Sequence, residues 1–148
     1  MSFGKSVICG LVLWSLLLIS CGGDQSGGSG GFDDSVLLGT YSLVGFTVYL
    51  ADGSVLTQND FSEWSGTLIL NADRTVSLTA SVDGVSNVET GTWTASATQS
   101  FFRRNSDGCS GTSEYQLSGE TLTTSSNRQC GSDFREINVW SRVESPAP

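Results

Sequence analysis

The chain is 148 residues long and carries 7 basic against 15 acidic residues, a net charge of −8, with no histidine. That length holds one domain, and the acidic balance excludes a nucleic-acid binder, which needs a basic footprint. Without histidine, the commonest general base and the commonest neutral metal ligand are both missing.

Residues 1–20 have the form of an export signal. Lys5 precedes an apolar run from Val7 to Ile19, long enough for a signal core and short of the roughly 20 residues of a membrane span. Leu18-Ile19-Ser20-Cys21 then resembles the bacterial lipobox. The resemblance implies cleavage after Ser20 and acylation of Cys21, which anchors the protein to a lipid bilayer. Each buried CH₂ of such chains contributes about 0.8 kcal/mol. The mature chain has six arginines, no lysine and fifteen acids, a net charge of −9. Residues 21–37 are read as the lipidated cysteine and a tether, whose Gly/Ser stretch 22–31 has random-coil composition. Gly22 stands where enteric bacteria place an aspartate to retain a lipoprotein at the inner membrane. The implied location is the cell envelope, at the outer membrane facing the periplasm or surface in a diderm host.

From 38 to 143 the chain lacks a helical period, and short Thr/Val/Ser/aromatic segments alternate with turn residues. Eight strands are predicted, at 39–50, 66–71, 75–81, 88–95, 98–103, 112–118, 120–126 and 134–143. Gly45 interrupts the alternation of the first, and a bulge there returns Phe46 and Val48 to the face of Tyr41 and Leu43. In the last strand Ile137, Val139 and Val143 alternate with Glu136, Asn138 and Arg142, and the apolar set is expected to face the core. Short connections imply a meander that closes by pairing its last strand with its first. The predicted fold is therefore all-β, an eight-stranded antiparallel up-and-down barrel over residues 38–143, with a tail at 144–148. Its longer loops, 51–65, 82–87, 104–111 and 127–133, fall at one end, the candidate mouth. Cys109 and Cys130 lie in two of them. In an exported chain they are expected to form a disulfide, worth roughly 3 kcal/mol by chain entropy; two free thiols are the rival.

Several motifs resemble those of lipocalins and bacterial lipocalin-like domains. Gly39-Thr40-Tyr41 is similar to their G-x-W opening, with tyrosine for tryptophan. Residues 66–76, GTLILNADRTV, resemble their G-x-L-x-L-x-x-D-G-T hairpin, with Arg74 at the usual glycine. Gly91-Thr92-Trp93 and the stretch 115–123, YQLSGETLT, resemble later strands. The resemblance implies that a late arginine, Arg142, packs across Tyr41 beside Gly39 at the closed end.

Little catalytic chemistry is legible. Asn105, Asp107, Gly108 and Glu114 fall at EF-hand spacing, but Arg103 occupies the first ligand position and defeats the site, so no metal is expected. No His or mature Lys can activate a serine or threonine, and no cofactor motif occurs; the chain reads as a non-enzyme. Asp52, Asp73 and Asp83 are explained by turn geometry. Arg103, Arg104, Arg128 and Arg135 fall at or next to the mouth, and guanidinium forks suit carboxylate or phosphate. Their bland alternative is neutralisation by Asp60, Asp107, Asp133 and Glu136. Trp93, Phe101 and Phe102 are candidates to line a cavity or to fill the core. Two functions are expected to compete. One is binding of a small apolar or amphiphilic ligand, anionic where the arginines engage it. The other is a protein–protein module of the envelope, an assembly accessory or hydrolase inhibitor, that docks through its loop end.

Overall fold

A computed structural model describes residues 32–127 and 134–143. Nine strands occur in chain order: β1 (Gly39–Tyr49), β2 (Val55–Thr57), β3 (Trp64–Leu70), β4 (Thr75–Val82), β5 (Val85–Ala95), β6 (Gln99–Arg104), β7 (Ser110–Ser118), β8 (Thr121–Asn127) and β9 (Arg135–Arg142). From β3 to β9 each strand pairs antiparallel with the next, and β9 returns to β1 along nearly its whole length. The result is a closed eight-stranded up-and-down barrel, which leaves no long free edge. β2 is an addition to it, inside the stretch expected to be a plain loop.

β1 changes neighbours along its length. Its first half pairs with β3, from Gly39–Leu70 to Ser42–Thr67, whereas its last three residues pair with β2. The register against β9 shifts between Leu43 and Gly45, leaving Val44 as an unpaired bulge residue. Phe46 and Val48 are thereby returned to the interior.

One large cluster fills the end of the barrel where β1 begins. Tyr41, Leu68, Leu70, Val76, Leu78, Trp93, Phe102, Leu122 and Trp140 are all buried there, each at an inward position of its strand. A void of about 10 Å³ remains among these side chains, space for about one water. The tether was expected to run to residue 37. Instead Asp34–Leu37 forms a 3₁₀ turn capped by Asp33, and Leu37 plugs this end of the barrel. The packed domain thus starts before residue 38, because an apolar side chain at the barrel opening has core to cover.

Two further expectations are corrected. The connection 82–87 is not a long loop: Asp83 and Gly84, at φ 48° and 80°, make a two-residue turn, and β5 starts at Val85. Paired left-handed residues match the twist of a hairpin. The second correction concerns β9, whose inward face is Glu136, Asn138 and Trp140, not Ile137 and Val139. Trp140 decides the register. Sliding β9 by one residue would bury two aliphatic side chains but expel the largest one from the core.

Candidate functional site

The closed end is built around Gly39, Tyr41, Arg74 and Arg142. Gly39 opens β1 beside Arg142, and Tyr41 lies directly opposite Arg142 on β9. The Tyr41 hydroxyl donates to the Leu37 carbonyl at 3.0 Å and accepts from Arg142 Nη2 at 2.7 Å. The guanidinium also lies 5.2 Å from the Tyr41 ring centroid and donates to the Val36 carbonyl. Arg74, in the β3–β4 turn, adopts φ 69°, a strained conformation for a side chain other than glycine. It pairs with Asp34 and lies 5.2 Å over the Trp93 ring, so the β3–β4 turn clamps the 3₁₀ plug.

Among the described residues, the predicted ligand residues do not converge. β6 alternates strictly, placing Ser100, Phe102 and Arg104 inside and Gln99, Phe101 and Arg103 outside. Phe101 is 40% exposed on the outer wall, and Trp93 is buried in the closed-end core, its Nε1 donating to the Asn71 carbonyl. Arg135 points outward over the Tyr49 ring, at 5.6 Å. Arg128 and Cys130 lie outside the described residues, as do Cys21 and the rest of the signal and tether through residue 31. Of the named arginines, Arg104 alone among the described residues faces the interior. The stretch 103–114 is a β-hairpin without flanking helices.

Arg104 is 4% exposed and is held by Asp107 through Nε and Nη2, with Glu89 at 3.8 Å. The Arg104 guanidinium, together with the Cys109 amide, lowers the Asp107 carboxyl from 3.8 to about 2. Because the folded value is the lower one, this clasp is fully in place above the ordinary carboxylate range and weakens as pH falls toward 2. The 105–109 loop is therefore expected to keep its amide resonances unchanged from pH 7 to 4 and to loosen below about pH 3. In Asp107→Asn, NMR should find it loose across the whole range; a loop still rigid at pH 7 in that variant would contradict the assignment.

Between the packed core and the mouth loops, the inner wall divides by polarity. On β1, β3 and β4 it is apolar: Phe46, Val48, Trp64, Ala80 and Val82, with Phe61 and Phe134 packed against them. Phe46, Phe61 and Trp64 form an aromatic trio, with Phe46 5.6 Å from Phe61 and 5.8 Å, edge-on, from Trp64. On β6 and β9 the wall is polar: Arg104, Glu136 and Asn138, all buried. Asn138 Nδ2 donates to Glu136 Oε1 at 2.5 Å, while Asn138 Oδ1 accepts no hydrogen bond among the described residues. The walls meet where Phe46 pairs with Asn138 and Val48 with Glu136 across β1 and β9.

The mouth loops are acidic rather than basic. Asp52, Asp60, Glu63, Asp83 and Asp107 stand on their described residues, with no cation among them. Asp52 and Asp60 serve local turns through Ser54 and Thr57. Asp83 instead reaches across to accept from the Ser62 and Glu63 amides, tying the β4–β5 turn to the approach of β3.

Sequence reasoning missed Glu136 and Asn138 because their neighbours Ile137 and Val139 are the better core residues by type. The available signal was Trp140, whose parity with 138 and 136 sets the face.

No protein-family model matches the chain, and no curated protein matches it either.

Proposed function

We propose that the protein is a cell-envelope lipoprotein, anchored through acylated Cys21, whose barrel binds a short amphiphilic molecule in its mouth half. The divided inner wall carries this reading. Buried charged and amide side chains facing a barrel interior are costly, and a scaffold needing only stability would place apolar residues at the positions of Arg104, Glu136 and Asn138. An apolar wall meeting a polar one is the lining that an amphiphile requires. With the closed half filled, the apolar part of the ligand is short.

A disulfide between Cys109 and Cys130 belongs to the same proposal. β7 begins at Ser110, directly after Cys109, and pairs antiparallel with β8; Cys130 lies outside the described residues, so the support for the pair is the exported character of the chain.

Native mass spectrometry of protein extracted mildly from membranes tests the binding reading. A retained small molecule, lost on Trp64→Ala, is the expected result. Bare protein together with no response to added short-chain amphiphiles would overturn it. The docking reading keeps one observation in its favour, away from the loop arginines. Val44, Tyr49 and Val55 are exposed on the outer wall, beside the outward Ile137 and Val139. If the barrel is bare, this strip is the surface to mutate in a partner capture.

A further inference from the structure

The plugged end of the barrel presents a surface that the binding reading does not use. We infer that this end docks on the lipid bilayer, with Phe32, Val36 and Val143 at the boundary between head groups and acyl chains and the mouth turned away, an inference that rests on the acylated Cys21 proposed above.

Phe32, Val36 and Val143 are 36%, 45% and 45% exposed, and all three stand at the end where Leu37 closes the barrel. The fold holds them there. Phe32 lies 6.4 Å from the ring of Tyr115, whose hydroxyl donates to the Ser96 carbonyl in the β5–β6 turn. The Val36 carbonyl accepts from Arg142, and the Val143 amide donates to the Thr40 carbonyl. Apolar side chains gathered at one end mark a contact surface more than the same residues scattered singly, and a bilayer boundary takes their area out of water.

The anchor selects this end. Ten residues separate Cys21 from Phe32, at most about 40 Å of chain. The eight residues of β9 span about 26 Å, so bringing the mouth to the lipid would take most of that reach, whereas the plugged end needs little of it. Charge agrees. Tyr49, Val55 and Val85 are exposed toward the mouth as well, but the described loop residues there carry five acids and no cation, which an anionic leaflet repels. At the plugged end the acids are Asp33, Asp34, Asp73 and Glu120, and Arg74 and Arg142 stand beside two of them. The Arg74 side chain is 46% exposed and keeps donors beyond those that hold Asp34, suited to head-group phosphate. With the mouth turned away, the ligand proposed above exchanges with the aqueous phase.

Paramagnetic relaxation in nanodiscs tests the orientation. The mature protein is purified from membranes into discs of phosphatidylethanolamine and phosphatidylglycerol that contain a gadolinium-chelating lipid. Amides of Ala97, Gly119 and Val143 should relax at least about 5-fold faster than those of Gly53, Gly84 and Gly108. The combined variant Phe32→Ser, Val36→Ser and Val143→Ser should keep its fold, because all three side chains are exposed, and relaxation at Ala97 and Gly119 should fall about 3-fold. Intact mass reports the acylation of Cys21 separately. An acylated protein whose relaxation profile the variant leaves unchanged, or whose mouth amides relax as fast as those of the plugged end, would overturn the docking and leave the anchor standing. A mass without acyl chains would overturn both.

Discussion

Gly91→Ala should lower the melting temperature by roughly 15 °C or prevent folding, at a cost of about 3 kcal/mol. Gly91 is inward on β5 and pairs with Arg104 on β6. A Cβ there would fall inside the van der Waals shell of the Arg103 carbonyl oxygen, 3.0 Å from its carbon and 3.3 Å from the Arg104 Cα. These are backbone atoms, which no rotamer change can move, so β5 and β6 would have to separate where they support Trp93 and Arg104. Thermal melts followed by circular dichroism check this, with Gly53→Ala as the control. Gly53 has φ 84° but nothing within 4 Å, so its substitution costs only backbone strain, about 1 kcal/mol. Equal losses in the two variants would mean that close strand approach is not what Gly91 provides.

Arg142→Ala should cost about 2 kcal/mol, and Tyr41→Phe about 1 kcal/mol. Arg142 joins three elements at the closed end. It bonds the Tyr41 hydroxyl and the Val36 carbonyl, covers the Tyr41 ring, and stands 3.6 Å from Glu120. The Glu120 contact is solvent-exposed and adds little. Since Tyr41 and Arg142 share one bond, the double variant should lose less than the two single losses added, with a coupling of about 1 kcal/mol. Urea denaturation of the four proteins measures it. Strict additivity would show that the pair is adjacent without being coupled, and that Leu37 seals the barrel unaided.

Much of the barrel was legible because its signals are local. Turn residues bracket the strands, the bulge announces itself as Gly45 within an alternating segment, and strand number with short connections leaves closure as the economical topology. Arg142 beside Tyr41 was implied by the motif resemblance, with which chain order and strand direction agree. The errors share a cause: each needed a tertiary fact to break a local tie. Leu37 follows a polar Gly/Ser stretch, and its burial depends on an opening that only the closed barrel creates. Val85 to Asn87 has loop-like composition, yet Asp83-Gly84 turns tightly enough to carry β5 back at once. In β9 the two faces were distinguished by residue type, and Trp140, on the less aliphatic face, outweighed Ile137 and Val139. The arginines looked like a rim because proximity along the chain was equated with a shared face. Arg103 and Arg104 are neighbours in sequence and lie on opposite sides of the wall.

The exchange of β3 for β2 beside β1 divides the molecule mechanically. Below the Val44 bulge, β1 is held on both sides by long strands and cannot yield without general unfolding. Above it, one flank is a three-residue strand joined to a single 3₁₀ turn, Gln58–Asp60, in which Gln58 accepts from the Phe46 amide at 3.3 Å. The same segment is tied back to the β4–β5 turn by Asp83, which accepts from the Ser62 and Glu63 amides. It carries Phe61 and leads directly into Trp64, so the aromatic part of the mouth-half wall stands on the flank of β1 that has the fewest strand pairings.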